Sequence, residues 1–124
     1  MNRSFEVGLS EISHFEGVKL LAYSPMAFGT LSGKYLNTKP EGARCTLFKR
    51  FEKRYFTTQG VQATQAYVDL AMEYGLSPSQ MALAFVYQRP FVGASIIGAT
   101  TMAQLKSNID SIDIQLSDEL LNQN

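Results

Sequence analysis

The sequence predicts an α/β fold in which parallel strands are covered by helices. Two short apolar runs, residues 18–23 and 92–97, are typical of buried strands. Segments with the 3.6-residue period of amphipathic helices precede, separate and follow these runs. Such alternation implies parallel pairing with helical cover, and parallel sheets usually carry several strands. Because two strands alone leave an unpaired edge on each side, we expect the chain to be part of a larger α/β assembly.

Composition limits the kinds of protein to be considered. The 124 residues suit a single domain, 1–124, and the 45% hydrophobic content is ordinary for a globular protein. The net charge is zero, so no overall field attracts nucleic acid or anionic lipid. The chain has no apolar stretch long enough to span a bilayer and no signal-peptide core near its start, so we expect a cytoplasmic protein without a membrane partner. With only one cysteine and one histidine, an internal disulfide and a structural zinc site are not expected.

The first helix and strand follow from apolar spacing. Residues 5–15 have helical periodicity, with Ser4 as a plausible N-cap and Gly17 as the end of the helix. Residues 18–23 then form the first buried strand, which Ser24 and the following proline break.

A long loop is predicted over residues 26–58, with one helical turn around residues 31–35. Loops of this length are uncommon in compact domains unless they are functional or disordered. The aromatic residues in the loop argue against disorder.

Two consecutive helices are predicted next. The first covers residues 63–74 and ends at Gly75. The second has Ser77 as its N-cap, Pro78 at the first helical position and Gln80 completing a capping box. Because the rest of this helix is apolar all round, we expect it to be buried on most sides.

The second strand, residues 92–97, ends at Gly98 and leads into a further helix. Thr101 and Gln104 form its predicted capping box. Its apolar face consists of Met102, Leu105, Ile109 and Ile112. A last helix begins at Ser117.

The loop after the first strand has residues that suit a phosphate. Ligands of α/β folds bind at the carboxyl ends of strands. Gly29 and Gly33 allow a backbone to approach a phosphate, and Lys34 supplies a positive charge. A glycine-containing turn with a solvated lysine accounts for the same residues equally well. The spacing does not match a Walker sequence.

The second strand leads into a helix whose first turn has free amides and the positive end of the dipole. Thr100, Thr101 and Gln104 are neutral donors for an anion there. Taken alone, a well-made helix cap explains these residues better. Phosphate-compatible loops at two strand ends together favour a shared phosphorylated ligand.

The remaining polar residues suggest no catalytic group. Residues 41–54 carry a local charge of +3 with interleaved phenylalanines, a pattern compatible with nucleic-acid binding. Such a run is usually a solvated face, so a nucleic-acid partner is not expected. His14 is interpreted as a surface residue. The sequence contains no carboxylate pair, Ser/His/Asp set or dinucleotide glycine fingerprint.

Two segments resemble a known family. Residues 21–35 (LAYSPMAFGTLSGKY) and 96–109 (IIGATTMAQLKSNI) resemble the seventh and eighth strand regions of NADP-dependent aldo-keto reductases. The similarity is strongest towards the bacterial branch that also resembles potassium-channel β subunits, which residues 42–44 and 81–86 fit as well. The segments keep the expected order and separation, and the similarity covers nearly the whole chain.

The resemblance implies a fold and an activity. Members fold as a (β/α)8 TIM barrel of about 250 or more residues. This chain then corresponds to part of such a barrel, the seventh and eighth βα units with flanking helices. Members transfer a hydride from NADPH to an aldehyde or ketone, so NADP(H) is the implied cofactor and a small carbonyl compound the implied substrate.

The resemblance also implies roles for individual residues. Tyr23 would stack on the nicotinamide, and Lys34 and Arg44 would reach the phosphates. The residues implied to line the pyrophosphate are Ser24, Pro25, Met26 and Ala27. Those implied to hold the adenosine half are Gly98, Thr100, Gln104 and Asn108, with Thr100 and Gln104 contacting the 2′-phosphate.

The family's catalytic tetrad of Asp, Tyr, Lys and His belongs to the first half of the barrel and has no match here. Tyr23 matches the stacking aromatic residue, and His14 matches no tetrad position. We therefore expect a C-terminal, NADP(H)-binding portion of an aldo-keto reductase that is inactive alone. The alternative is a non-catalytic nucleotide-binding or oligomerising module. Either would pair with the missing half, another copy or another chain through its strand edges.

Overall fold

The structure, a computed structural model, describes residues 3–123. Its regular elements, in chain order, are α1 (Leu9–Glu16), β1 (Leu20–Tyr23), α2 (Arg44–Leu47), α3 (Glu52–Tyr55), α4 (Thr58–Glu73), α5 (Pro78–Tyr87), β2 (Val92–Ile96), α6 (Met102–Asp110) and α7 (Asp118–Gln123). Short 3₁₀ turns lie at Ser4–Glu6, Ala27–Ser32, Lys49–Phe51 and Ser111–Asp113. Within these residues, no helix is long and apolar enough to cross a membrane.

The two strands pair in parallel, which confirms the predicted α/β arrangement. The register is irregular near the start, where Leu20 pairs with Val92 but Leu21 pairs with Ala94. The extra residue in β2 is Gly93. A side chain there would lie too close to the residue that precedes β1, because a Cβ would lie 2.7 Å from Cβ of Lys19.

Only one face of the sheet is covered. Leu21, Tyr23 and Ile96 are 63%, 69% and 58% exposed, whereas Leu20 and Ala22 on the alternate face are half-buried. The prediction of fully buried strands is therefore wrong for these residues. The physical reason is that α5 packs against β2, whereas the exposure of these three side chains leaves the other face uncovered within residues 3–123.

The main core forms around α5. Met81 and Leu83 are fully buried, and Met81 packs in one cluster with Ala71 of α4 and Leu120 of α7. A second cluster joins Ala82 of α5 to the 3₁₀ turn that follows β1. The predicted burial of this apolar helix is confirmed.

The first helix begins later than expected. Ser4 lies in a separate 3₁₀ turn, and α1 starts at Leu9 after Gly8, which has a φ of 95°. This left-handed backbone at Gly8 interrupts the predicted helix. Its end is confirmed, because Gly17 adopts a φ of 66°.

The predicted start and end residues of α4 and α5 are confirmed in part. Helix α4 begins earlier than expected, where Thr57 Oγ1 accepts the N–H of Gly60 at 3.1 Å, and Gly75 follows its end with a φ of 66°. Pro78 does occupy the first turn of α5. The predicted capping box is wrong, because Gln80 Nε2 donates instead to the backbone oxygen of Ser107 at 3.2 Å.

Helix α6 presents a different face to the protein than expected. Met102 and Ile109 are 78% and 57% exposed, whereas Asn108 and Ser111 are buried. A polar stripe of this region therefore faces α5, and the apolar stripe lies on the surface.

The long segment between β1 and α4 is ordered by aromatic contacts. Phe28 lies 4.7 Å from Phe51 and 5.6 Å from Tyr55, measured between ring centroids. The expected helical turn is found earlier in the chain, at Ala27–Ser32, and α2 and α3 add two more short helical segments.

Candidate functional site

The carboxyl ends of the two strands lie side by side. Tyr23, the last residue of β1, pairs directly with Ile96, the last residue of β2. The turn that starts at Ser24 and the segment that leads to α6 therefore leave the sheet at the same edge. This is the edge at which α/β folds bind ligands.

The turn after β1 has an unusual backbone. Ser24, Ala27 and Phe28 have φ values of 54°, 49° and 59°. L-residues pay roughly 1–2 kcal/mol each for this left-handed conformation. Burial of Ala27, which packs against Leu31 and Ala82, holds the turn in place. Sequence reasoning missed the strain, because none of the three residues is glycine.

Lys34 folds back towards this turn. A Cβ at Gly29 would lie 3.2 Å from Cε of Lys34, so the absence of a side chain at Gly29 makes room for the lysine stem. The Lys34 amine lies 5.1 Å from the centroid of the Tyr35 ring, and the side chain is exposed. A cation therefore lies beside the strained turn, and phosphate binding by Lys34 stays a prediction.

Arg44 is brought towards the same loop by Tyr35. The N–H of Cys45 donates to Tyr35 Oη at 3.2 Å, which ties the start of α2 to the residue after Lys34. Burial raises the pKa of Tyr35, so its hydroxyl stays neutral at physiological pH. Arg44 itself is exposed.

The start of α6 forms a closed hydrogen-bonded arrangement. Thr101 Oγ1 accepts the N–H of Gln104 at 3.2 Å, as predicted for the cap. Gln104 Oε1 accepts from Thr100 instead, from its N–H at 2.9 Å and its hydroxyl at 3.0 Å. Gly98, Thr100 and Gln104 are all exposed at the strand edge.

Asn108 lies one helical turn beyond Gln104. It is buried, and its Nδ2 has no hydrogen-bond partner among the described residues. A buried amide without a partner carries a substantial desolvation cost. Of the predicted site residues, Asn108 is the one that is both buried and unsatisfied.

A groove of about 630 Å³ lies between the sheet and helices α4 and α5. Its lining includes four of the predicted site residues, Tyr23, Ser24, Pro25 and Ala27. The other predicted residues, Met26, Lys34, Arg44, Gly98, Thr100, Gln104 and Asn108, lie outside it. Sequence reasoning missed Arg3 and Arg89 of the groove and considered Arg54 only as part of the basic segment 41–54. The spacing of Phe85 and Arg89, four residues apart across the end of α5, was the available signal.

Other chemistry suggested by the sequence finds little support in the geometry. The basic segment uses its aromatic residues internally, with the guanidinium of Arg50 lying 5.0 Å from the Phe51 ring centroid. His14 is an exposed residue of α1. In the part of the chain that is described, no group of three or more His, Cys, Asp or Glu side chains is placed to hold a metal ion.

Comparisons with known proteins identify the family. The profile of the Aldo/keto reductase family matches residues 1–123. Protein tas of Escherichia coli (strain K12) is 60% identical over 122 residues, which are 98% of this chain and 35% of that protein. A putative voltage-gated potassium channel subunit beta of Schizosaccharomyces pombe is 30% identical over 94% of this chain and 36% of its own length. L-glyceraldehyde 3-phosphate reductase of Escherichia coli (strain K12) is 28% identical over 86% of this chain and 32% of its own length.

The match to the family profile extends over both strand ends and nearly all of the chain, and the predicted resemblance is confirmed. The chain spans about a third of the length of these curated relatives. We conclude that this chain belongs to the aldo/keto reductase family.

Proposed function

We propose that this chain is the NADP(H)-binding part of an aldo-keto reductase barrel that transfers a hydride between NADPH and an aldehyde or ketone. The observation that carries the proposal is the pairing of Tyr23 with Ile96. It brings a loop with cations and a helix start with neutral donors to one edge of the sheet. Cations and the amides of a helix start both bind phosphates, and a dinucleotide phosphate cofactor carries phosphates at two separate places.

The donor set fits such a cofactor. Lys34 and Arg44 supply positive charge for phosphates beside the turn that follows β1. Thr100 and Gln104 form an exposed polar pair at the start of α6, where the helix dipole favours an anion. Asn108, implied by the resemblance to hold the adenosine half, is buried one turn away and faces α5, so it contributes no exposed donor to this edge. The aromatic ring of Tyr23 is exposed and available for stacking on a flat ring.

The chemistry of the reaction is divided between cofactor and protein. When bound, NADPH supplies the hydride. The residues of this chain hold and orient the cofactor, and the residues that donate the proton to the carbonyl oxygen lie outside this chain. We therefore propose that the chain alone has no reductase activity. Clear turnover of a carbonyl compound with NADPH by this chain alone would contradict that part of the proposal.

The experiment is a titration of the chain with NADPH, followed by the fluorescence of the nicotinamide. Lys34→Gln should weaken binding about tenfold, because a charge-assisted hydrogen bond is worth roughly 1.5–3 kcal/mol. Lys106→Gln is the matched control, because Lys106 pairs with Asp110 at 2.7 Å on the surface of α6. Equal affinities of the two variants would refute the assignment of Lys34.

A second candidate function, assembly with another chain, has its own observation. The uncovered face of the sheet exposes Leu21, Tyr23 and Ile96, and α1 exposes Leu9, Ile12 and Phe15. Apolar surface in two neighbouring elements marks a contact region for protein. We propose that the strand edges and these side chains pair with a further barrel segment or a second copy. A mass measurement in solution tests this, and a monomer that ignores NADP(H) would remove the second candidate.

A further inference from the structure

We propose that the groove between the sheet and helices α4 and α5 binds an amphiphilic carboxylate of the fatty-acid type, with its head group on Arg89 and its alkyl chain along the sheet. This site goes beyond the proposed NADP(H) function.

The groove runs along the strands. Arg89 and Phe91 precede β2 and mark its amino end, whereas Ser24 and Pro25 follow β1 and mark its carboxyl end. A four-residue strand such as β1 spans about 13 Å. The volume of about 630 Å³ lies within the usual range for small-molecule sites. A long, narrow molecule fits this shape.

The walls of the groove are mainly apolar. The sheet contributes one wall and the two helices contribute the other. The principal residues are Leu20 and Ala22 of β1, Ala66 and Leu70 of α4, and Phe85 and Val86 of α5. Ala66 is also exposed, so the groove is open to solvent on the side of α4 and a ligand has a way in. Such walls suit an alkyl chain, because each buried methylene contributes favourably to binding.

The amino end of the groove carries excess positive charge. Arg89 lies 4.2 Å from the centroid of the Phe85 ring, and its Nε donates to the backbone oxygen of Phe85 at 3.2 Å. Arg3 lies 5.5 Å from the same centroid and pairs with Glu6. Two guanidinium groups therefore lie at one ring; Glu6 pairs with Arg3, and within residues 3–123 Arg89 has no ion pair.

The charges of this end favour one added anion. The hydrogen bond from Arg3 lowers the pKa of Glu6, so Glu6 stays ionised at neutral pH and occupies Arg3. Arg89 is held in place by its ring and its backbone bond, so it needs little reorganisation to accept a carboxylate. A dinucleotide suits the groove poorly, because Lys34, Arg44 and Gln104 lie outside its lining.

The first experiment is a chain-length series. Octanoate, decanoate, dodecanoate and tetradecanoate are titrated by calorimetry below their micelle concentrations. Affinity should rise about fourfold for each added methylene until the groove is full. Dodecanol, which lacks the charge, should bind at least about tenfold more weakly than dodecanoate. Affinity that does not depend on chain length, or an alcohol that binds as tightly as the acid, would overturn the proposal.

The second experiment uses variants of the same chain. Arg89→Gln should weaken dodecanoate binding about tenfold and leave dodecanol binding unchanged. Arg50→Gln is the matched control, because Arg50 also stacks on an aromatic ring but does not line the groove. Equal effects of these two changes would refute the head-group assignment. NADPH affinity is also measured in both variants and should not change. The carboxylate proposal and the NADP(H) proposal can therefore fail independently of each other.

A third variant fills the groove. Ala66→Trp should abolish dodecanoate binding while circular dichroism shows a folded chain, because residue 66 is exposed and faces the open space. Dodecanoate binding that survives this change would contradict the location. The mass of the particle in solution is measured as well. If Ala66→Trp changes this mass but dodecanoate still binds, the groove is an interface between copies of the chain. That result also overturns the proposal.

Discussion

Replacing Ser24 by glycine separates the stability of the strained turn from its proposed role. Ser24 has a φ of 54°, for which an L-residue pays roughly 1–2 kcal/mol. Glycine removes this penalty. It also increases the conformational entropy of the unfolded chain, which lowers stability by about 0.5–1 kcal/mol. The hydrogen bond from the Ala27 N–H to the Ser24 carbonyl, 2.9 Å long, uses backbone atoms and is retained. We expect Ser24→Gly to raise the free energy of unfolding by about 0.5–1 kcal/mol.

The same change should weaken NADPH binding. In the proposed site the Ser24 hydroxyl lines the pyrophosphate, so its replacement should cost about 0.5–1.5 kcal/mol of binding and raise the dissociation constant about twofold to tenfold. Stability is measured by urea unfolding followed by circular dichroism, and binding by nicotinamide fluorescence. If the site stores strain for function, Ser24→Gly should raise stability and lower NADPH affinity.

A serine in a regular helix provides the control. Ser107 lies inside α6, so Ser107→Gly should lower stability by about 0.5–1 kcal/mol. If Ser24→Gly is as destabilising as Ser107→Gly, the left-handed backbone at Ser24 is not strained as argued. If Ser24→Gly raises both stability and NADPH affinity, the strain does not serve binding.

Three further changes test the fold around the site. Gly33→Ala should cost about 2–4 kcal/mol in urea unfolding, because Gly33 has a φ of +78° and a Cβ would lie 2.9 Å from Cγ2 of Val68. Thr101→Ala should cost about 1 kcal/mol in thermal unfolding, because it removes the side-chain cap of α6. Glu6→Gln should cost less than about 1 kcal/mol at neutral pH. The hydrogen bond from Arg3 lowers the pKa of Glu6, so the pair stabilises above the unfolded-state pKa of about 4.3, and this contribution is lost as pH falls through the folded-state value.

Each of these changes has a check. Gly75→Ala isolates the backbone penalty, because its φ is +66° and nothing lies within 4 Å of an added Cβ. An equal loss in Gly33→Ala and Gly75→Ala would show that Val68 is not in the way. Thr101→Ser should retain most of the cap. Between pH 3 and 7, the free energy of unfolding of Glu6→Gln should fall less steeply with decreasing pH than that of the unmodified chain. An unchanged pH dependence would contradict the ion pair.

Local sequence signals predicted the elements whose formation depends on local residues. The period of α4, the glycine after it and the apolar α5 all appear as expected, because spacing and backbone freedom act over a few residues. Burial was predicted less well. The strands carry the apolar pattern of a sheet covered on both faces, but Leu21, Tyr23 and Ile96 are exposed. A pattern of apolar residues indicates that a face is suited to burial, but it does not indicate which element covers that face.

The same distinction applies to the site. The adjacent strand ends and the Thr101 cap follow from local signals, and both are present in the structure. The left-handed Ser24 was not predictable, because tertiary packing of Ala27 imposes it on a residue with no intrinsic preference for that conformation. The charged end of the groove brings together Arg3 and Arg89, which approach one ring from distant parts of the sequence. No window of local sequence contains both.

The proposed cofactor site and the uncovered face of the sheet share the same strand. Tyr23 is the stacking residue of the proposed site and is also one of the apolar side chains left exposed on that face. A chain that pairs with the strand edges would therefore contact the residue that contacts the cofactor. Two binding events that share a residue are thermodynamically coupled, and each changes the affinity of the other by the same factor. The mass measurement and the NADPH titration then report one linked equilibrium, and weak NADPH binding by the isolated chain would itself follow from the absence of its partner surface.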